Sequence, residues 1–287
     1  MTTNIKPGAL YLCATPIGNL EDITLRVRRI LQEVKLIAAE DTRHTRKLLS
    51  FYDIHTPLTS YHEHNKLSKG EKLISELKSG NDIALVSDAG TPGISDPGED
   101  LVRLAVGEGI IVIPVPGASA VVCALVGSGL PTDRFVFEGF LPRTKKDRNK
   151  VMAQLVTDER TVVFYESPHR VVKTLQEILD IAGDRDVVVT RELTKAFEEF
   201  VRGKVSVVLE HFLNNPPRGE ITVVLAGNKG EQKEAPKRDF EEIGKLVKNC
   251  MTQGRDKKQA IKEVSRTTGI SKREVYSAVL LADNSNR

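Results

Sequence analysis

The sequence predicts an α/β protein of two lobes followed by a small helical domain. Three observations carry this. Strand-like apolar runs alternate with helical patterns over the first 228 residues, Gly/Pro-rich loops follow three of the early runs, and a polar Lys/Glu-rich stretch precedes a wholly helical tail. A chain of 287 residues is long enough to bury more than one core.

The first lobe is expected over residues 1–115. ALYLCA (9–14) is a buried-strand run, closed by the turn TPIGN, and Ile23, Val27, Ile30, Leu31 and Val34 then recur at helical spacing. LIAAE (36–40) leads into a Thr/Arg/Lys-rich helix through Leu48 and Leu49. DIALVSD (82–88) and GIIVIPV (109–115) bracket a helical pattern in Leu101, Val102, Leu104 and Ala105. Strands alternating with helices imply βαβ units and a mainly parallel sheet covered on both faces.

The second lobe is expected over 116–228. A helix in 120–130 precedes RFVFEGFLP. RTVVFYES, DVVVTRE, KVSVVLE and GEITVVLAG are four further strand-bearing runs, with helices around 147–156 and 171–182 between the earlier ones. More strands and fewer long helices point to a mixed sheet. Residues 229–236 form the linker, and 237–287 a basic helical domain. There Ala260, Ile261 and Val264 share one helix, and Gly269 ends it. Ser271 and Glu274 form a capping box that opens a last helix bearing Val275, Val279 and Leu280. Helix, Gly turn and capped helix is the helix-turn-helix pattern.

The net charge of +3 is unevenly spread: residues 232–287 carry 13 Lys/Arg against 8 Asp/Glu, which suits a nucleic-acid-handling tail or a solvated helix pair equally. Cys13, Cys123 and Cys250 are too far apart in sequence for a CxxC site, so neither a disulfide framework nor a thiolate metal centre is expected. His62 and His64 of YHEHN are a lone pair with no third ligand motif, and no metal is expected. Residues 109–132 are uncharged, but Pro114, Pro116, Gly117 and Pro131 interrupt them, which excludes a membrane span. No basic-then-apolar leader opens the chain, and a cytoplasmic location is expected.

No phosphate loop of the GxxxxGK[ST] type occurs, and the first strand is followed by TPIGN rather than GxGxxG. Glycine and proline concentrate instead in TPIGN (15–19), SDAGTPGISDPG (87–98) and PGASA (116–120). Ordinary turns would account for one such loop. Three of them beyond strand ends point to a ligand crevice, where small residues let the backbone approach a bound molecule.

These loops carry a resemblance. ATPIGNLEDIT (14–24), AEDTRHT (39–45), SDAGTPGISDPG, PGASA, FEGFLPR (137–143), ESPHR (166–170), RELTK (191–195) and RGEITVVLAG (218–227) together resemble the tetrapyrrole methylase superfamily, the class III adenosylmethionine-dependent methyltransferases. Within it they resemble the branch acting on small-subunit ribosomal RNA. TPIGN stands where several tetrapyrrole-modifying members carry a GxGPG loop. The resemblance implies two α/β lobes with S-adenosyl-L-methionine held in the cleft between them, and a homodimer. Carried over motif by motif, the cofactor would meet Asp88, Ala89, Gly90 and Thr91, then Ala118, Ser119 and Ala120, and Tyr165, Ala196 and Thr222, with Pro16 and Gly18 shaping the same crevice. The implied reaction is 2′-O-methylation of a cytidine ribose in the decoding centre of 16S rRNA, with the small ribosomal subunit as partner.

Such a transfer needs in-line approach of the hydroxyl oxygen and gains from a nearby base. Asp41, Arg43, Glu166, His169, Glu192, Lys195 and Glu199 are candidates, and the residues do not select among them. Arg43, Arg170 and Arg191 could instead bind phosphates or bridge the lobes. Lys257, Lys258, Lys262, Arg266, Lys272 and Arg273 would offer the tail's cations to RNA. Two other functions remain open from the residues: a ligand-responsive nucleic-acid-binding regulator, which the full motif set argues against, and a small-molecule tetrapyrrole methylase, which the helical tail argues against.

Overall fold

The computed structural model describes residues 6–228, 240–252, 254–268, 275, 276 and 279. Its backbone contacts divide the chain into two units, Met1–Asn228 and Lys229–Arg287.

The first sheet holds β1 (Ala9–Cys13), β2 (Leu36–Ala39), β3 (Leu58–Ser60), β4 (Ile83–Val86) and β5 (Ile111–Val115), in the order β3-β2-β4-β1-β5 with every pair parallel. Helices α1 (Leu25–Glu33), α2 (Thr42–Phe51), α3 (Lys66–Lys78) and α4 (Glu99–Gly107) cover it. Alternation along β1 explains the two-sided burial. Cys13 packs with Val27, Leu31 and Leu49 of α1 and α2, while Leu10 packs with Leu77 and Leu101 of α3 and α4. Thr24 Oγ1 accepts the Val27 N–H at 3.1 Å and starts α1. From β1 the chain crosses one way to β2, and from β4 it crosses the other way to β5. The adjacent ends of β1 and β4 are therefore the topological switch point.

After α5 (Ala120–Ser128) the second sheet takes β6 (Phe135–Phe140), β7 (Thr161–Glu166), β8 (Asp186–Arg191), β9 (Glu199–Lys204) and β10 (Ile221–Leu225), in the order β6-β7-β10-β8-β9. Only β6 and β7 run parallel, so the sheet is mixed as the sequence predicts. Register sorts its side chains. Val223 stands opposite Phe164 and Val189, and all three pack under α6 (Lys145–Thr157), α7 (Pro168–Ala182) and α8 (Val205–Asn214). Val224 stands opposite Val163 and Val188, on the face that packs against α5 and against Ile17 from the first lobe.

The structure corrects one expected strand. KVSVVLE is not a strand beyond Lys204; Val205 opens α8, whose buried Val205, Val208, Leu209 and Phe212 follow a helical repeat. The valine run looks like a strand in isolation, but its packing against α7 decides the outcome. The edge strand is the preceding EFVRGK, and β3 and α3 are further elements that the sequence reading did not single out.

In the second unit, α9 (Phe240–Thr252) and α10 (Lys257–Thr268) pack through Val247, Ala260 and Val264, joined by Val275 and Val279. The expected linker at 229–236 and the capping box of Ser271 and Glu274 lie outside the described residues.

Candidate active site

Three loops are laced together at the switch point. Thr15 and Gly90 exchange backbone hydrogen bonds at 2.8 and 3.0 Å, and Thr15 Oγ1 donates to the Ser87 carbonyl at 3.1 Å. Thr91 Oγ1 donates to the Ala118 carbonyl at 3.2 Å. Gly90 holds φ +81°, a left-handed conformation that suits glycine and lets the backbone turn at the rim.

A first cavity of about 340 Å³ opens below these loops. Ala89, Gly90 and Thr91 line it from the first lobe, Ser119 and Ala120 from the start of α5, and Tyr165 and Thr222 from the second sheet. Ser119 is the N-cap of α5, yet its side chain makes no capping bond, so its hydroxyl is left to the cavity. The Tyr165 ring packs edge-on to Phe137 at 5.0 Å, and burial, reinforced by the charge of Asp96, pushes its phenol up to about 12. Asp96 also lines this cavity; burial, then the negative charge of Glu40, push its carboxyl up to about 6.

A second cavity of about 390 Å³ adjoins the first and shares Ile17, Ala89 and Glu220 with it. Pro16, Gly18, Asp88 and Lys195 line it, together with residues of α2. Gly18 is required here because a Cβ would run into the Lys195 side chain. Lys195 Nζ donates to Glu192 Oε1 at 3.0 Å and Glu220 Oε2 at 3.2 Å. Burial disfavours its charge, but these carboxylates outweigh burial and raise its pKa, so the amine is a cation.

The residues expected around the cofactor thus fall into groups. Ala89, Gly90, Thr91, Ser119, Ala120, Tyr165 and Thr222 meet at the first cavity, and Ala118 braces it through Thr91. Asp88, Pro16 and Gly18 face the second cavity instead, because the chain turns between Asp88 and Gly90. Ala196 is exposed and lines neither cavity.

The candidate bases are mostly engaged elsewhere. Glu166 lines the first cavity but is fully buried; it accepts from Ser167 N at 2.9 Å and Thr174 Oγ1 at 2.7 Å, and pairs with Arg148 at 3.6 Å and Arg170 at 3.3 Å. Asp41 caps α2 and pairs with Arg43 at 2.7 Å; the hydrogen bonds from Arg43 hold its carboxyl well below the usual range. Neither residue lines a cavity. His169 is exposed in the first turn of α7, and Glu199 pairs with Arg191 at 2.5 Å on the edge strand.

The expected RNA-binding arginines are also held internally. Arg170 donates to the Leu141 carbonyl at 2.9 Å besides pairing with Glu166, and Arg191 is taken by Glu199. On α10, Lys258 and Lys262 are exposed and Lys257 is half-buried. Nothing is described of the Arg266 side chain, and Lys272 and Arg273 lie outside the described residues. Sequence reasoning missed Asp96, although it lies inside the quoted SDAGTPGISDPG loop. It also missed His44 and Thr45, although they end the quoted AEDTRHT, and Lys47 and Phe51 further along the same Thr/Arg/Lys-rich helix. His62 and His64 stack edge-on at 6.0 Å, and no group of three metal-ligating side chains occurs among the described residues.

A parallel and a mixed sheet, with loops from both enclosing a cavity at a switch point, define a two-lobed α/β protein built to hold a small molecule. The chain belongs to the tetrapyrrole (corrin/porphyrin) methylase family, whose model matches residues 9–208. It is 49% identical to ribosomal RNA small subunit methyltransferase I of Halalkalibacterium halodurans over 94% of both chains. It is 47% identical to the protein of the same name from Bacillus subtilis, again over 94% of each. Among solved structures it shares its fold with cobalt precorrin-4 methyltransferase, with TM-score 0.58, 18% identity, and coverage of 76% of this chain and 94% of that one. It likewise matches uroporphyrin-III C-methyltransferase of Thermus thermophilus in complex with S-adenosylhomocysteine, with TM-score 0.54, 18% identity, and coverage of 76% and 97%. No helix among the described residues is long and apolar enough to cross a membrane.

Proposed function

We propose that this chain transfers a methyl group from S-adenosylmethionine to the ribose 2′-hydroxyl of a cytidine in the 16S RNA of the small ribosomal subunit. The observation that carries this reading is the pair of adjoining cavities with a common wall of Ile17, Ala89 and Glu220. One cavity suits a donor and the other an acceptor, and their contents would meet at that wall. The names of relatives that match nearly the whole chain support the RNA substrate.

The first cavity fits the cofactor by its chemistry. Ile17, Tyr165 and Ile221 give apolar walls, Ser119 and Thr222 give hydroxyls, and Asp96 gives a carboxylate suited to a cationic ligand. When bound, S-adenosylmethionine would supply an electrophilic methyl on a sulfonium: the ribose oxygen would take the methyl as the carbon–sulfur bond breaks, S-adenosylhomocysteine would leave, and the hydroxyl proton would pass to solvent. The protein's part is to hold the acceptor oxygen in line and keep water out, and positioning of this kind is worth up to about 7–11 kcal/mol. Lys195, held cationic by Glu192 and Glu220, orients an acceptor rather than taking its proton.

The exposed Lys258 and Lys262 of the second unit would add a sequence-independent attraction to RNA phosphates. A homodimer and a cytoplasmic location, where ribosomal subunits are found, complete the reading. Incubation with methyl-labelled S-adenosylmethionine and small-subunit RNA lacking the modification tests it. Label in the RNA is the expected outcome. Label entering a carboxylated tetrapyrrole instead, or no transfer to any acceptor, would refute it.

A further inference from the structure

The second cavity differs from the first in its lining. Helix α2 brings His44, Lys47 and Phe51 to it, with Thr45 and Leu48 beneath. Thr45 is 3% exposed, and its Oγ1 has no hydrogen-bond partner among the described residues. A buried hydroxyl left unpaired is costly, so a ligand that supplies the missing bond is favoured. Phe51 keeps 64% of its surface exposed at the end of α2, and its ring is held edge-on against Tyr52 at 4.9 Å. Lys47 forms no ion pair among the described residues. An aromatic surface, an unpaired cation and a buried orphan hydroxyl thus converge on one cavity.

We propose that this cavity takes a single unstacked ribonucleotide of the acceptor RNA, with its base on Phe51, its phosphate at Lys47 and His44, and a hydrogen bond to Thr45 Oγ1. The inference rests on the RNA-methylating reading above. In the wall common to both cavities, Ile17 is only 7% exposed whereas Glu220 reaches the surface. A cavity of about 390 Å³ has no room for a duplex. RNA readers stack unpaired bases on aromatic rings, and Phe51 offers such a ring at the cavity. The two lobes then divide the work: α2 captures the nucleotide, and the switch-point loops present the donor.

Phe51→Ala, Phe51→Trp and Thr45→Val in the full chain test this, through steady-state methylation of small-subunit RNA, calorimetry with S-adenosylmethionine and thermal melting. Loss of one stacking contact predicts a KM for RNA raised about tenfold or more in Phe51→Ala, with recovery in Phe51→Trp. Thr45→Val is expected to raise the KM while melting at or above the wild-type temperature, because it removes an unpaired buried hydroxyl. Affinity for S-adenosylmethionine should stay unchanged in all three. Wild-type KM values in Phe51→Ala and Thr45→Val would overturn the acceptor cavity while leaving RNA methylation intact. A lower melting temperature in Thr45→Val would show that its hydroxyl serves the fold and overturn its part in the site. A wild-type chain that methylates no RNA would overturn the functional reading and this inference with it.

Discussion

Thr91 Oγ1 donates to the Ala118 carbonyl at 3.2 Å and so joins the loop after β4 to the loop after β5. Ala118 leads directly into Ser119, the residue that opens α5 and faces the first cavity. That hydrogen bond ties together two cavity walls 27 residues apart in sequence.

Replacing Thr91 tests that wall. Thr91→Arg drives a long cation into a cavity of about 340 Å³, and calorimetry should then detect no S-adenosylmethionine binding while cooperative melting persists. Thr91→Val removes only the hydrogen bond; it should cost about 1 kcal/mol of stability and weaken binding several-fold. Unchanged affinity in a folded Thr91→Arg protein would take Thr91 out of the site.

Glu166 is expected to matter first for stability. It pairs with Arg148 and Arg170, and its removal leaves the largely buried Arg148 with Glu177 as its one remaining carboxylate and Arg170 with backbone carbonyls alone, among the described residues. Glu166→Leu should lose about 3–5 kcal/mol in urea denaturation, with Glu166→Gln losing less. A Glu166→Leu protein as stable as wild type would leave Glu166 free for a direct role in transfer.

Asp96 gives a pH dependence of defined sign. Burial and Glu40 raise its carboxyl from 3.8 to about 6, opposed by a hydrogen bond from Ser87 and reinforced by Asp88. Between those values the unfolded chain has released a proton that the folded chain still holds. Stability should therefore fall as pH rises from about 4 to 6 and level off above. Asp96→Asn should remove that slope and melt higher than wild type at pH 7, by on the order of 1 kcal/mol given the partial exposure of the group. Equal slopes in the two proteins between pH 4 and 7 would show that another group is responsible.

The proposed homodimer would form on the exposed side of helix α5. Val121, Ala124 and Leu125 are buried against the second sheet, whereas Val122 and Val126, one turn apart, are 53% and 67% exposed. Val126→Glu should shift the proposed dimer to monomer in light scattering at micromolar concentration, with the lobe still folded. A wild-type chain that scatters only as monomer would remove the dimer.

Much of this architecture is legible in the residues because its signals are strong. Runs such as IALV and ITVVL are buried along their whole length, as central strands of a covered sheet must be. The Gly/Pro loops mark the switch point because Gly90 and Gly93 hold positive φ and a Cβ on Gly18 or Gly117 would run into its neighbours. VSVVLE misled because an apolar run of that length carries little periodicity, and its helical repeat closes only with Phe212. The site divided differently. Motif order located the first cavity, but ion pairs such as Glu199 with Arg191 depend on strand pairing across β8 and β9, which local sequence does not reveal. Phe51 was equally hidden, since an aromatic at the end of a helix signals burial more often than a binding surface.

The most direct test of the central claim is the position of the transferred methyl group. Small-subunit RNA lacking the modification is incubated with the wild-type chain and S-adenosylmethionine, then subjected to partial alkaline hydrolysis. A 2′-O-methyl group removes the nucleophile that cleaves the adjacent phosphodiester bond. One new alkali-resistant linkage, 3′ to a cytidine, and recovery of the methyl as 2′-O-methylcytidine are expected. A methyl recovered on a base, or an RNA ladder unchanged from the untreated control, would contradict it.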